Sequence, residues 1–148
     1  MLQSEQEALE ILREKREALN RLRLGLLFTE SRLTWPIPNT QTCDAETLEK
    51  LSAFSERFAK IQDVLASAMR HSLLLKGENP LTFADVLMLM EKLEIIDDQQ
   101  EWINIRLLRN IAAHDYTTDG DLQAEYFNTL HEQLTILLGM TDRFLAWS

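Results

Sequence analysis

Eight consecutive residues, Arg109-Asn110-Ile111-Ala112-Ala113-His114-Asp115-Tyr116, carry the densest chemistry in this chain. Arginine offers a planar fork of donors suited to a phosphate. Histidine is the side chain that titrates near neutral pH without help from its surroundings. A permanent cation beside an acid–base group is a minimal kit for cleaving a phosphodiester without a metal. On a straight helix at about 100° per residue, Asn110 and His114 share a face one turn apart. Arg109 then lies about 140° from His114, so the pair does not converge within one straight helix. The long arginine side chain recovers part of this, and fraying after Ala113, or pairing of two copies of the helix across a two-fold axis, would bring the groups together; the second points to a dimer with its site at the interface.

Other constellations are weaker. The four glycines are scattered, so no phosphate-cradling loop can be built from them. His131-Glu132 begins like a zinc-binding helix, but Thr135 stands where the second histidine belongs. His71 and His131 read as helix-surface residues, and the single Cys43 can form no internal disulfide. No metal and no cofactor is expected from this inventory.

The elements that must position the octapeptide read as helices throughout, an all-α chain. A first helix is predicted from about Ser4 to Arg32, with Leu12, Leu19, Leu26 and Leu33 at seven-residue intervals and Leu9 and Leu22 beside them. Such a seam serves either one face of an intramolecular bundle or a coiled-coil dimer. Trp35-Pro36-Ile37-Pro38 ends that helix. Asp44 should cap a long second helix striped by Leu48, Leu51, Phe54, Phe58, Ile61, Leu65, Met69 and Leu73, with Gly77 at its C-terminal end. Thr82 and Asp85 suggest a capping box for a third helix, whose apolar face is Phe83, Val86, Leu87, Met90 and Leu93. Asp98 with Glu101 opens a fourth helix, which buries Trp102, Ile105, Leu108 and Ala112 and carries the octapeptide. Asp121 is the expected cap of the last helix. The resulting architecture is an up-and-down four-helix bundle with an additional long N-terminal helix, about five helices in one domain over 1–148. Within it, 1–38 forms the N-terminal helix and its proline-containing connection, and 44–148 the motif-bearing core.

Charge limits the partners. The chain of 148 residues carries a formal net charge of −9, which disfavours broad nonspecific contact with nucleic acid. Residues 1–32 are neutral, with six basic and six acidic side chains, so the whole deficit lies downstream. Asp115, Asp119, Asp121 and Glu125 follow the histidine closely and would repel RNA unless something offsets them. No apolar run reaches the roughly 20 residues that span a bilayer, and the polar, acidic first residues do not resemble a secretory signal. A cytoplasmic protein that does not engage a membrane is expected.

An arginine, a polar residue, three more residues, histidine, one residue and tyrosine, here Arg109-Asn110-(Ile111-Ala112-Ala113)-His114-Asp115-Tyr116, resembles the signature of HepT-like members of the HEPN superfamily. The resemblance extends to an all-helical bundle of this length with the motif on the penultimate helix. It implies a homodimer whose paired motifs face each other, and a metal-independent endoribonuclease acting as the toxin of a toxin–antitoxin pair. Its partner would be a minimal nucleotidyltransferase (MNT) antitoxin that modifies the motif tyrosine with AMP. Carried over by position, His114 would serve as general acid or base for attack of the ribose 2′-hydroxyl. Arg109 would bind the phosphate of the RNA, Asn110 would orient substrate or histidine, and Tyr116 would be the modified residue. A second expectation of the same fold is a non-catalytic substrate-binding or regulatory subunit of the nucleotidyltransferase.

Overall fold

The computed structural model describes residues 2–114 and 118–148, with side chains described for 3–109 and 118–148. Five α-helices account for most of them: α1 (Leu2–Ser31), α2 (Ala45–Leu75), α3 (Phe83–Lys92), α4 (Gln99–His114) and α5 (Gly120–Trp147). A single 3-10 turn, Thr40–Thr42, interrupts the α1–α2 connection. The fold is an all-α helical bundle.

Helix ends follow local chemistry. The Asp44 carboxylate accepts the Thr47 amide at 2.7 Å to start α2, and hydrogen bonding from the Thr47 side chain, followed by this amide, holds its carboxyl below the ordinary aspartate range. Gly77, at φ 89, closes the helix with Glu78 N–H on Leu73 O at 2.9 Å and Gly77 N–H on Leu74 O at 3.2 Å. Thr82 and Asp85 exchange both bonds of a capping box at the start of α3. At α4 the Asp98 carboxylate receives the Gln100 amide at 2.9 Å. One cap departs from expectation. Asp119, not Asp121, caps α5, accepting the amides of Asp121 and Leu122, because the Asp121 carboxylate is turned outward to the Asn39 side-chain amide at 2.8 Å.

Inter-helix bonds fix the topology. Ala8 with His71, Lys15 with Ser67 and Gly25 with Arg57 run α1 antiparallel to α2. Arg16 with Leu145, Arg23 with Asp142 and Glu30 with His131 run it antiparallel to α5 as well. The leucine seam of α1 faces inward: Leu19 and Leu26 are completely buried and Leu33 nearly so, while Leu9 is 58% exposed. These leucines share one core with Phe54, Phe58, Ile61, Leu65, Ile105, Leu137 and Phe144. The first helix is therefore a structural wall of the bundle, and 1–38 and 44–148 are halves of one hydrophobic unit.

Both histidines expected at the surface are instead half-buried between elements. The His71 ring nitrogen meets Ala8 O at 2.7 Å. His131 stacks on Trp35 with centroids 4.1 Å apart and rings 5° from parallel, and contacts Glu30 at 3.0 Å. His71 is covered by α1 itself, whereas His131 is covered by the connection after α1, which folds back onto α5. Asn128 pins it by bonding both the amide and the carbonyl of Ile37. No helix among the described residues is long and apolar enough to cross a membrane.

Candidate functional site

Arg109 lies where the buried stripe of α4 runs out. Trp102 and Ile105 are buried, and the spacing i, i+3, i+7 places Arg109 next on the same side of the helix. Packing of those two residues thus sets the rotation of α4 and aims Arg109 at α2. Its guanidinium Nη1 bonds Asp63 Oδ1. Arg106, one turn earlier, donates to the same oxygen at 3.0 Å. Two cations therefore converge on one carboxylate oxygen. All three side chains are between one-third and one-half exposed.

Arg109 and Asp63 form one wall of a groove of about 520 Å³ between α1 and α2, to which Leu22, Glu56, Arg57 and Lys60 also contribute. Arg57 is fixed there by bonds to Gly25 O at 3.3 Å and to Thr29 Oγ1. Lys60 is exposed and has no ion-pair partner among the described residues. A shallower depression adjoins it, sharing Lys60 and Asp63 and adding Lys15, whose ammonium donates to Ser67 Oγ at 2.9 Å.

Beyond Trp102 and Arg106, α4 presents an open and largely apolar surface. Ile103 is 40% exposed and Leu107 52%, and both line a cavity of about 370 Å³ with Phe83, Leu87 and Trp102. At about 100° per residue, positions 110 and 114 fall within about 40° of this Ile103–Leu107 row. Asn110 and His114 thus occupy the last turns of α4 in register with its exposed apolar face, and Arg109 is rotated away toward α2. The side chains of Asn110 and His114, and the whole of Asp115 and Tyr116, lie outside the described residues.

Asp63, Lys60 and Arg57 are site residues that the sequence did not single out. They sit on the polar side of α2, where nothing in the spacing says which charges will meet α4. Arg106 carried one usable signal, its i, i+3 relation to Arg109. Among the described residues no group of three His, Cys, Asp or Glu side chains is placed to hold a metal ion. Cys43 is a free, half-buried thiol that donates to Asn39 O at 3.3 Å. Compared with protein-family models, with curated proteins and with solved structures, the chain has no match.

Proposed function

We propose that this protein is a HEPN-type, metal-independent endoribonuclease that acts as a homodimeric toxin and is neutralised by a minimal nucleotidyltransferase. The observation that carries the reading is the placement of Arg109: a motif arginine at the lip of a groove rich in cations, on a helix that continues through position 114. In the reaction, His114 accepts the proton of a ribose 2′-hydroxyl as its oxygen attacks the adjacent phosphorus. Arg109 neutralises charge that builds on the phosphate oxygens. The bond to the 5′-oxygen breaks, that oxygen takes a proton, and the products are a 2′,3′-cyclic phosphate and a 5′-hydroxyl. Asn110 orients the histidine or the ribose. AMP added to Tyr116 would place bulk and negative charge at the site and close it to RNA.

The exposed Ile103–Leu107 row supports the dimer, since it is an apolar strip in register with positions 110 and 114. Two copies packed through α4 would bury the strip and bring the two motif-bearing helices together. The seam leucines Leu19, Leu26 and Leu33 are already inside the bundle, so any second copy meeting α1 would do so through its exposed Leu9, Leu24 and Phe28 and not through the seam.

The test is expression of the wild type and of His114→Ala without any partner, followed by incubation of each purified protein with RNA in a chelator. Growth arrest and cyclic-phosphate ends from the wild type alone are expected. Free growth and intact RNA with both proteins would refute the nuclease. The alternative, a non-catalytic regulatory subunit of the nucleotidyltransferase, draws on the net charge of −9 and on the carboxylate already seated on Arg109. A stable complex with such an enzyme that survives Arg109→Ala and His114→Ala, with no cleavage by either component, would favour it.

A further inference from the structure

We propose that Arg106 and Arg109 form a two-arginine phosphate clamp and that Asp63 is its internal competitor, a carboxylate that substrate phosphate displaces. This rests on the nuclease reading and adds two residues to its site. The geometry is that of an anion site: two guanidinium groups, one turn apart on α4, donate from Nη1 to a single oxygen of Asp63 on a different helix. A phosphodiester spreads its charge over two non-bridging oxygens, as a carboxylate does over Oδ1 and Oδ2, so it satisfies the same donors. Without an anion between them, two like charges at this spacing would repel each other. Asp63 keeps them converged and the clamp preorganised.

The internal anion is also weakly held. With Asp63 39% exposed, Arg109 33% and Arg106 45%, the ion pairs belong to the class worth about 0.2–1 kcal/mol in water. An incoming phosphate must overcome only that much, and Lys60 and Arg57 in the same groove attract it, opposed by Glu56. The clamp thus stays ordered when empty and exchanges one anion for another at small cost. Arg106 binds substrate in this scheme and takes no part in proton transfer.

The experiment measures binding of a fully 2′-O-methylated 12-nucleotide RNA, which cannot be cleaved through a 2′-hydroxyl, across a salt series. Wild type is compared with Asp63→Asn, Asp63→Ala, Arg106→Ala and Arg109→Ala. Both Asp63 variants should bind about two- to fivefold more tightly, because the carboxylate no longer has to be displaced from Arg106 and Arg109, a gain net of the repulsion between the two freed arginines. Arg106→Ala should bind more weakly and lower the slope of log K against log salt by about 0.7, one phosphate contact fewer on a single strand. A thermal melt of each variant separates unfolding from loss of a contact, and two replacements at position 63 guard against an effect peculiar to one side chain. Unchanged or weaker binding by both Asp63 variants overturns the competitor role, and an unchanged salt slope in Arg106→Ala overturns the clamp. In either case, cleavage by the wild type would leave the nuclease standing. Absence of RNA binding and cleavage by the wild type itself removes both.

Discussion

Leu26→Ala tests whether the leucine seam of α1 is a wall of the bundle or a surface for another chain. Leu26 is completely buried, two positions from Leu24, which is 66% exposed on the same helix. Truncation to alanine removes three carbons from the core, worth about 2.4 kcal/mol at about 0.8 kcal/mol per buried carbon. Phe54 and Phe58, also fully buried, belong to the same cluster, and rigid aromatic neighbours cannot collapse fully into the gap. A cavity cost is added, bringing the expected loss to about 3–4 kcal/mol, within the span known for buried leucines. For a chain of this length that lowers Tm by roughly 6–15 °C. Urea unfolding followed by circular dichroism should show this loss at two protein concentrations tenfold apart, with the same difference at both. Leu24→Ala should shift stability by less than about 0.5 kcal/mol. The intramolecular seam is wrong if Leu26→Ala costs under about 1 kcal/mol, or if its cost grows on dilution as a subunit interface requires.

Gly25 lies inside the continuous helix α1, and a methyl there would lie 3.6 Å from the Arg57 side chain, an ordinary contact. Gly25→Ala should therefore stabilise by about 0.5–1 kcal/mol in chemical denaturation, and destabilisation would show that the α1–α2 approach is tighter than that distance implies. Gln62 is completely buried on α2, and neither its amide nitrogen nor its oxygen has a hydrogen-bond partner among the described residues. Gln62→Met, of similar volume, should raise stability by about 1 kcal/mol, since unmatched buried polar groups cost about 1–3 kcal/mol each, and a lowered urea midpoint would contradict this. Burial pushes the Tyr126 phenol up to about 12, so its neutral form is favoured in the fold. Its contribution to stability is complete below the ordinary value near 10 and disappears as pH rises toward 12. An absorbance titration should show a phenolate component near 12 that Tyr126→Phe removes.

Where the sequence spoke clearly, the cause was local. Asp44, Thr82 with Asp85, and Gly77 all act on backbone groups within a few residues, so their roles follow from spacing. The apolar stripe of α2 is buried from Leu51 to Leu73 as its 3.6-residue period requires, while Leu48, expected to begin it, is 41% exposed in the first turn. Asp121 misled because Asp119-Gly120-Asp121 offers two equivalent carboxylates, and Asn39, eighty-two positions away from Asp121, decides between them. His131 misled for a similar reason, since its partner Trp35 arrives only when the proline-containing connection folds back over α5. Asp63 is the sharpest case. Its position on the polar face of α2 looks like any solvated charge until the rotation of α4, set by Trp102 and Ile105, brings two arginines to it.

The same distinction governs the charge at the site. By sequence, the acidic neighbours of the motif are Asp115, Asp119, Asp121 and Glu125, and they argue against RNA. In the fold, the Asp119 carboxylate holds the first amides of α5, and that of Asp121 faces the Asn39 amide. The side chains that share a groove with Arg109 come from α2 instead: Arg57, Lys60, Glu56 and Asp63. With Arg106 on the same carboxylate, this patch has more cations than anions, although the chain as a whole is strongly acidic. Exposed charges beyond about 8 Å are largely screened at physiological salt, so the local set outweighs the chain total for an anion at the groove. Within that set Asp63 bonds Arg109 directly, which makes it the acid whose removal should most change affinity for phosphate.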